Sequence, residues 1–305
     1  MCIYSIDTDC CVLIKILVGK REGMLKLENV TKRFDDYGFA LTDINFSIPK
    51  GYICGLVGEN GAGKSTLINM ILGLHRTDKG DIYINGSNVI LDEIKAKEQI
   101  GYVLAEELFD PYLTLIGNAN TYGKYYSKYD SKLFKDYCGR FELDYKCKLK
   151  TLSKGQKLKF QFAFALAHSP MLLVLDEPTA NFDSKFRKEF FSILTDFISD
   201  GEHSVLLATH LTSDLEIIGD YITFLHKGKL VFSEDREKLL DSYRLLQGEA
   251  YKANVLNKDR VIHIEKKDNM MTALVRHSKF EEYDKDISVS IPNIEDIMYH
   301  YVKGD

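Results

Sequence analysis

The densest chemistry in the sequence lies in eight consecutive residues, Gly58-Glu59-Asn60-Gly61-Ala62-Gly63-Lys64-Ser65, with Thr66 directly after them. Their spacing, G-x-x-x-x-G-K-S, suits a polyphosphate. The glycines let backbone N–H groups curl around phosphate oxygens, and a helix beginning at the end of the loop adds the positive end of its dipole. Lys64 can reach the β- and γ-phosphates as a cation, and the Ser65 hydroxyl is a hard oxygen ligand for Mg²⁺. The expected cofactor-binding set is therefore Gly58 through Thr66.

Such a loop acts only when a buried strand feeds it and a helix leaves it. Tyr52 to Val57 is a near-continuous apolar run, as a strand covered on both faces requires, and Leu67, Ile68, Ile71 and Leu72 recur at helical spacing behind the loop. Two more buried-strand runs follow, Met171–Leu175 and Val205–Ala208. Between them Phe186, Phe190, Leu194 and Phe197 make an apolar stripe on one helix. Buried strands alternating with amphipathic helices predict an α/β core.

A phosphate loop alone leaves kinases, GTPases and helicases open. Further motifs follow in a fixed order. They are Leu152-Ser153-Lys154-Gly155-Gln156, then Leu172-Leu-Val-Leu-Asp176-Glu177-Pro-Thr, then Asn181-Phe182-Asp183, and His210 after the strand Val205–Ala208. With Phe34 in Asn29-Val-Thr-Lys-Arg-Phe34, this set resembles the ABC ATPase family from Met24 to about Ser233. The resemblance implies a RecA-like core with an N-terminal antiparallel β-subdomain, an inserted helical subdomain and a small C-terminal α+β appendage.

Residue roles follow from the same resemblance. Asp176 would hold Mg²⁺ with Ser65, Glu177 would orient or deprotonate the attacking water, and His210 would sense the γ-phosphate. Phe34 would stack on adenine. Ser153, Gly155 and Gln156, the signature, would complete the ATP site of a second ATPase subunit, and Asp183 belongs to the loop between the two. The implied machine is an ATP-hydrolysing subunit, homodimeric or heterodimeric, on the cytoplasmic face of a membrane beside a separately encoded transmembrane permease. The short helical region and the tail Pro292–Val302 look like export-type ATP-binding subunits. A regulatory or non-transport ABC protein is the alternative.

Two positions depart from the family pattern. Ala105 stands where a glutamine is usual, so Glu106 is the expected substitute. Lys154 replaces the first glycine of the signature, which leaves the serine and the second glycine in place.

The division expected along the chain is residues 1–23 as an N-terminal extension of doubtful status, 24–234 as the ATPase domain and 235–305 as the appendage. The helical subdomain should occupy about 107–168. In it Leu133, Phe134, Tyr137, Cys138 and Phe141 form one helical face, capped by Asp130 or Ser131. Residues 157–166 alternate with a period of two, which by pattern alone gives a strand, but their alanines, the possible Ser153 cap and the stop at Pro170 favour a helix. Tyr221–His226 and Lys229–Ser233 read as a hairpin, and Pro292 opens a last helix with Ile294, Ile297, Met298 and Tyr301 on one side.

Bulk properties agree. A net charge of −5 speaks against a nucleic-acid partner. Six irregularly spaced cysteines give neither a zinc pattern nor a disulfide framework, and Cys54 in the strand before the loop is expected to be buried and inert. No apolar run approaches the roughly 18 residues that would span a bilayer.

Overall fold

Strand β1 (Leu25–Phe34) pairs antiparallel with β2 (Phe39–Ile48), and β3 (Ile53–Val57) runs through the glycine-rich loop into helix α1 (Lys64–Ile71). Next come β4 (Lys79–Ile84), β5 (Ser87–Asn88), α2 (Glu93–Glu98) and β6 (Ile100–Val103). Helices α3 (Leu115–Gly123), α4 (Ser131–Arg140) and α5 (Lys154–Ala167) intervene before β7 (Leu172–Asp176). The chain continues through α6 (Ser184–Ile198), β8 (Ser204–Ala208), α7 (Thr212–Ile218), β9 (Tyr221–His226), β10 (Lys229–Asp235) and α8 (Arg236–Asp241). It closes with β11 (Tyr243–Glu249), β12 (Val261–Lys267), β13 (Met270–Arg276), β14 (Ser288–Ser290) and α9 (Ile294–Gly304). This computed structural model describes residues 23–34, 38–104, 108–277 and 283–304. Ala105, Glu106 and residues 1–22, on which three of the expectations fall, lie outside the described residues.

Three sheets result. The central one has the order β10-β9-β3-β8-β7-β6, parallel throughout except for the β9–β10 hairpin. The first is antiparallel, β2-β1-β4-β5, and the third is antiparallel, β12-β13-β11-β14. Every residue of β3 and β8 is buried, which is why both read as uninterrupted apolar runs. Cys54 is buried in β3, and burial pushes its thiol up to about 12.

The expected α/β core, N-terminal antiparallel sheet, helical insertion and C-terminal α+β segment are all present. Helix α4 starts where Asp130 accepts from the amides of Lys132 and Leu133 at 2.7 and 3.2 Å. The alternating segment 157–166 is helical. Leu158 and every residue from Phe160 to His168 are buried. A helix covered on all sides has no polar face and hence no 3.6-residue signal, so three phenylalanines at 160, 162 and 164 imitate a strand. They feed an aromatic cluster with Phe109, Phe134, Phe141 and Phe190.

The last helix starts two residues later than the sequence suggests, at Ile294. Asn293 caps it reciprocally with Asp296, each side chain accepting the other's amide at 2.7 and 3.0 Å, and Pro292 lies before the cap. Ile294 and Ile297 are fully buried in the same cluster as Phe224 and Leu215. The Tyr301 hydroxyl meets that of Tyr243 at 2.7 Å. Among the described residues no helix is long and apolar enough to cross a membrane.

Candidate functional site

Parallel strands deliver their C-terminal ends to one edge of the sheet, where ligands of open α/β folds collect. Three such ends build this site: β3 carries the glycine-rich loop, β7 carries Asp176 and Glu177, and the neighbouring β8 leads to His210. The loop turns into α1 through Gly63 in a left-handed conformation (φ 108°), where an added Cβ would lie 2.6 Å from Leu41. Glycine is thus required there on both counts. No side chain caps α1, so the orphan N–H groups of its first turn remain for an anion.

Lys64 is only 7% exposed. Its Nζ donates to the carbonyls of Gly58 at 2.6 Å and Glu59 at 3.3 Å, which holds the ammonium across the loop. Burial lowers its pKa, opposed by the charges of Glu177 and Asp176. Ser65 Oγ donates to Asp176 Oδ2 at 3.3 Å. Two hard oxygen donors side by side at the mouth of an anion site fit a magnesium ion that would bring oxygen ligands of its own.

Glu177 has φ 49° and ψ 42°, a left-handed conformation that costs a side chain of this size about 1 kcal/mol. Its amide donates to Ala208 O at 2.9 Å, so the sheet itself fixes the strained residue beside β8. The consequence is contact with the next loop: Glu177 Oε2 lies 2.6 Å from His210 Nδ1. A carboxylate that can take a proton and an imidazole that can pass one thus face each other at the rim of the phosphate loop.

Two clefts meet at this rim. One, of about 520 Å³, is lined by Phe39, Glu59, Asn60, Gly61, Gly63, Lys64, Ser65, Thr66, Asp176 and Glu177. The other, of about 610 Å³, runs from Gly58, Glu59 and His210 to Glu295, Tyr299 and Lys303 on α9. Ala62 is buried behind the loop. Phe34 lines neither. It ends β1 and packs its ring on His75 at 5.9 Å and on Phe39 at 6.5 Å, whereas Phe39 is the aromatic that faces the phosphate loop. The sequence signal for Phe39 was faint, an aromatic five positions after Phe34.

The signature lies outside both clefts. Ser153 Oγ accepts from the Gln156 amide at 3.3 Å and Gln156 Oε1 accepts from the Ser153 amide at 3.0 Å, a reciprocal cap at the start of the 14-residue helix α5. Gly155 sits so close to the next loop that a Cβ would lie 2.5 Å from Asn181 O, so a side chain here would push the two motifs apart. Asp183 accepts from the Phe186 amide at 2.8 Å and caps α6. Sequence reasoning missed Gln161, buried in α5, whose amide pairs with both backbone groups of Leu104 at 2.9 and 3.1 Å. It also missed a buried Thr179–Asp214–Arg187 cluster. Neither has a local sequence signal.

Comparison with known proteins agrees with this geometry. A family model described as "ABC transporter" matches residues 41–180. The linearmycin resistance ATP-binding protein LnrL of Bacillus subtilis is 34% identical over 214 residues, 68% of each chain. The lantibiotic transport ATP-binding protein SrtF of Streptococcus pyogenes is 29% identical over 73% of this chain and 99% of its own. A dimeric ATP-binding cassette solved in a post-hydrolysis state with ADP and Pi superposes with a TM-score of 0.62 and 27% identity, over 70% of this chain and 98% of that one. The chain belongs to the ABC transporter family, as an ATP-binding and ATP-hydrolysing subunit.

Proposed function

We propose that this subunit powers an exporter from the cytoplasmic face of a membrane, closing on a second ATPase subunit when Mg-ATP binds and reopening after hydrolysis. The 2.6 Å approach of Glu177 to His210 beside the phosphate loop carries the reading, because it joins a base and a switch at one reacting centre. The triphosphate lies along the first turn of α1 with Lys64 on its outer phosphates, and Phe39, backed by Phe34, walls the base side. Ser65 and Asp176 would hold Mg²⁺, which would neutralise charge developing on the phosphates. Glu177 orients the water and takes its proton. His210 leaves the carboxylate for the γ-phosphate as the site closes.

The signature completes the partner's site. Ser153 Oγ spends a lone pair on its cap and keeps its O–H to donate to a phosphate, at the positive end of α5. A groove of about 310 Å³ between the sheet edge and the helical insertion, lined by Leu72, Leu74, Ile100, Tyr102, Leu108 and Tyr126, supports docking of a transmembrane permease. Leu74 is 57% exposed in it. Export is favoured by the resistance and lantibiotic-transport relatives, and residues 24–234 form the motor in this reading.

Purified protein with ATP and Mg²⁺, measured beside Glu177→Gln, tests the mechanism. Turnover should fall on the order of 10²–10⁴-fold while ATP still binds. Equal rates in both would remove Glu177 from the chemistry. Affinity purification from native membranes in mild detergent tests the machine: a stoichiometric polytopic protein is expected, lost in Leu74→Asp. Ribosomal or DNA-repair proteins instead would overturn the transport reading, and uptake rather than efflux by the complex in vesicles would overturn export.

A further inference from the structure

Beneath the hydrolytic pair lies a charged side chain to which the mechanism above gives no task. Asp214 has no exposed surface. Its Oδ2 accepts from Thr179 Oγ1 at 2.6 Å, and its Oδ1 accepts from the Arg187 guanidinium. Thr179 is also buried, and Arg187 is only partly accessible. A carboxylate taken out of water persists only with partners on its oxygens, and here both oxygens are engaged, so its position is set by groups that cannot move independently.

Each of the three residues follows a different functional motif. Thr179 follows Glu177 by two positions, Asp214 follows His210 by four in the first turn of α7, and Arg187 follows Asp183 by four in α6. Asn181, just before the α6 cap, lies in turn against Gly155 of the signature helix, and the cap Asp183 is 3.8 Å from Lys159 of the same helix.

We propose that Asp214 is a positioning residue that ties the Glu177 loop, the helix after His210 and helix α6 into one unit. Displacement of His210 toward a phosphate then reaches the signature helix that serves the partner's ATP. The inference rests on the reading of Glu177 and His210 given above. Asp214 touches no nucleotide. It acts through the register of the 2.6 Å Glu177–His210 contact, where misplacement of about 1 Å costs on the order of 10²-fold in rate.

The test measures kcat, ATP affinity and melting temperature for Asp214→Ala, Asp214→Asn, Thr179→Val and the Asp214→Ala/Thr179→Val double variant. The Ala variant should lose roughly a hundredfold in kcat with the ATP dissociation constant changed less than about twofold. Asn keeps a donor and an acceptor in place and should recover all but about fivefold. The double variant should be no slower than Ala alone, since both remove one network. Additive losses, or kcat and affinity falling together with the folded fraction, would reduce Asp214 to a support of the fold. If Asp214→Ala does not fold, Thr179→Val decides alone: a kcat equal to wild type overturns the proposal. A wild-type protein without turnover would instead count against the hydrolytic reading on which it rests.

Discussion

The phosphate-loop side and the signature side of this molecule solve opposite problems. Around Lys64, three strand ends converge until Ser65 touches Asp176 and Glu177 touches His210, so most of a reaction centre is assembled within one chain. Around Ser153 motif packs on motif, Gly155 against the Asn181 carbonyl, and neither cleft is lined. The signature's Ser153 and Gln156 are spent on capping a helix, lie outside both clefts and, with Lys154, face outward at the helix terminus. The first region is limited by internal geometry, the second by what comes to meet it. In the proposed mechanism hydrolysis depends on association, and substitutions in the two regions should fail in different ways.

The largest expected difference comes from Lys64→Ala. It removes the buried cation from the phosphate side and should weaken ATP binding by the isolated subunit by about 3 kcal/mol, on the order of a hundredfold by calorimetry. Unchanged affinity would mean that the loop amides alone do the binding.

The signature helix should have its own acid sensitivity. His168 terminates α5, is 2% exposed and stacks on Tyr126 at 4.0 Å, and burial pushes its pKa down to about 4. The unfolded chain, with an ordinary histidine near 6.5, binds the extra proton first. Stability should therefore be full above about pH 6.5, fall as the pH drops toward 4 and level off below it, by about 3 kcal/mol in all. In His168→Gln this part of the pH dependence of urea unfolding should vanish. If it persists, another group is responsible.

Ser153→Ala should have the smallest effect. Loss of the cap should cost about 1 kcal/mol of stability. Turnover should fall roughly tenfold for the missing phosphate hydrogen bond, with ATP affinity of the isolated subunit unchanged. A drop in that affinity would place the signature in its own chain's site and erase the contrast between the two regions.

Much of this was legible before the fold was known. The buried strands and the phosphate loop are written as contiguous residues, and so is the Asp176-Glu177 pair. The segment 157–166 was harder, because total burial had erased its periodicity and only cap, alanines and proline identified a helix. The C-terminal sheet was not foreseen strand by strand. Its β12 has no fully buried residue and its β14 is wholly exposed, so neither carries the apolar alternation that marks a strand.

The sequence by itself determined the chemistry of the motor, because a phosphate loop works through neighbouring amides, a lysine and a serine whose spacing is covalent. Only the tertiary structure decided which aromatic faces the loop, that α9 borders the cleft of His210, and that Thr179, Arg187 and Asp214 share one buried charge. Those relations depend on strand order and on which side chains lose water together. Both are properties of the packed molecule, and no local pattern records them.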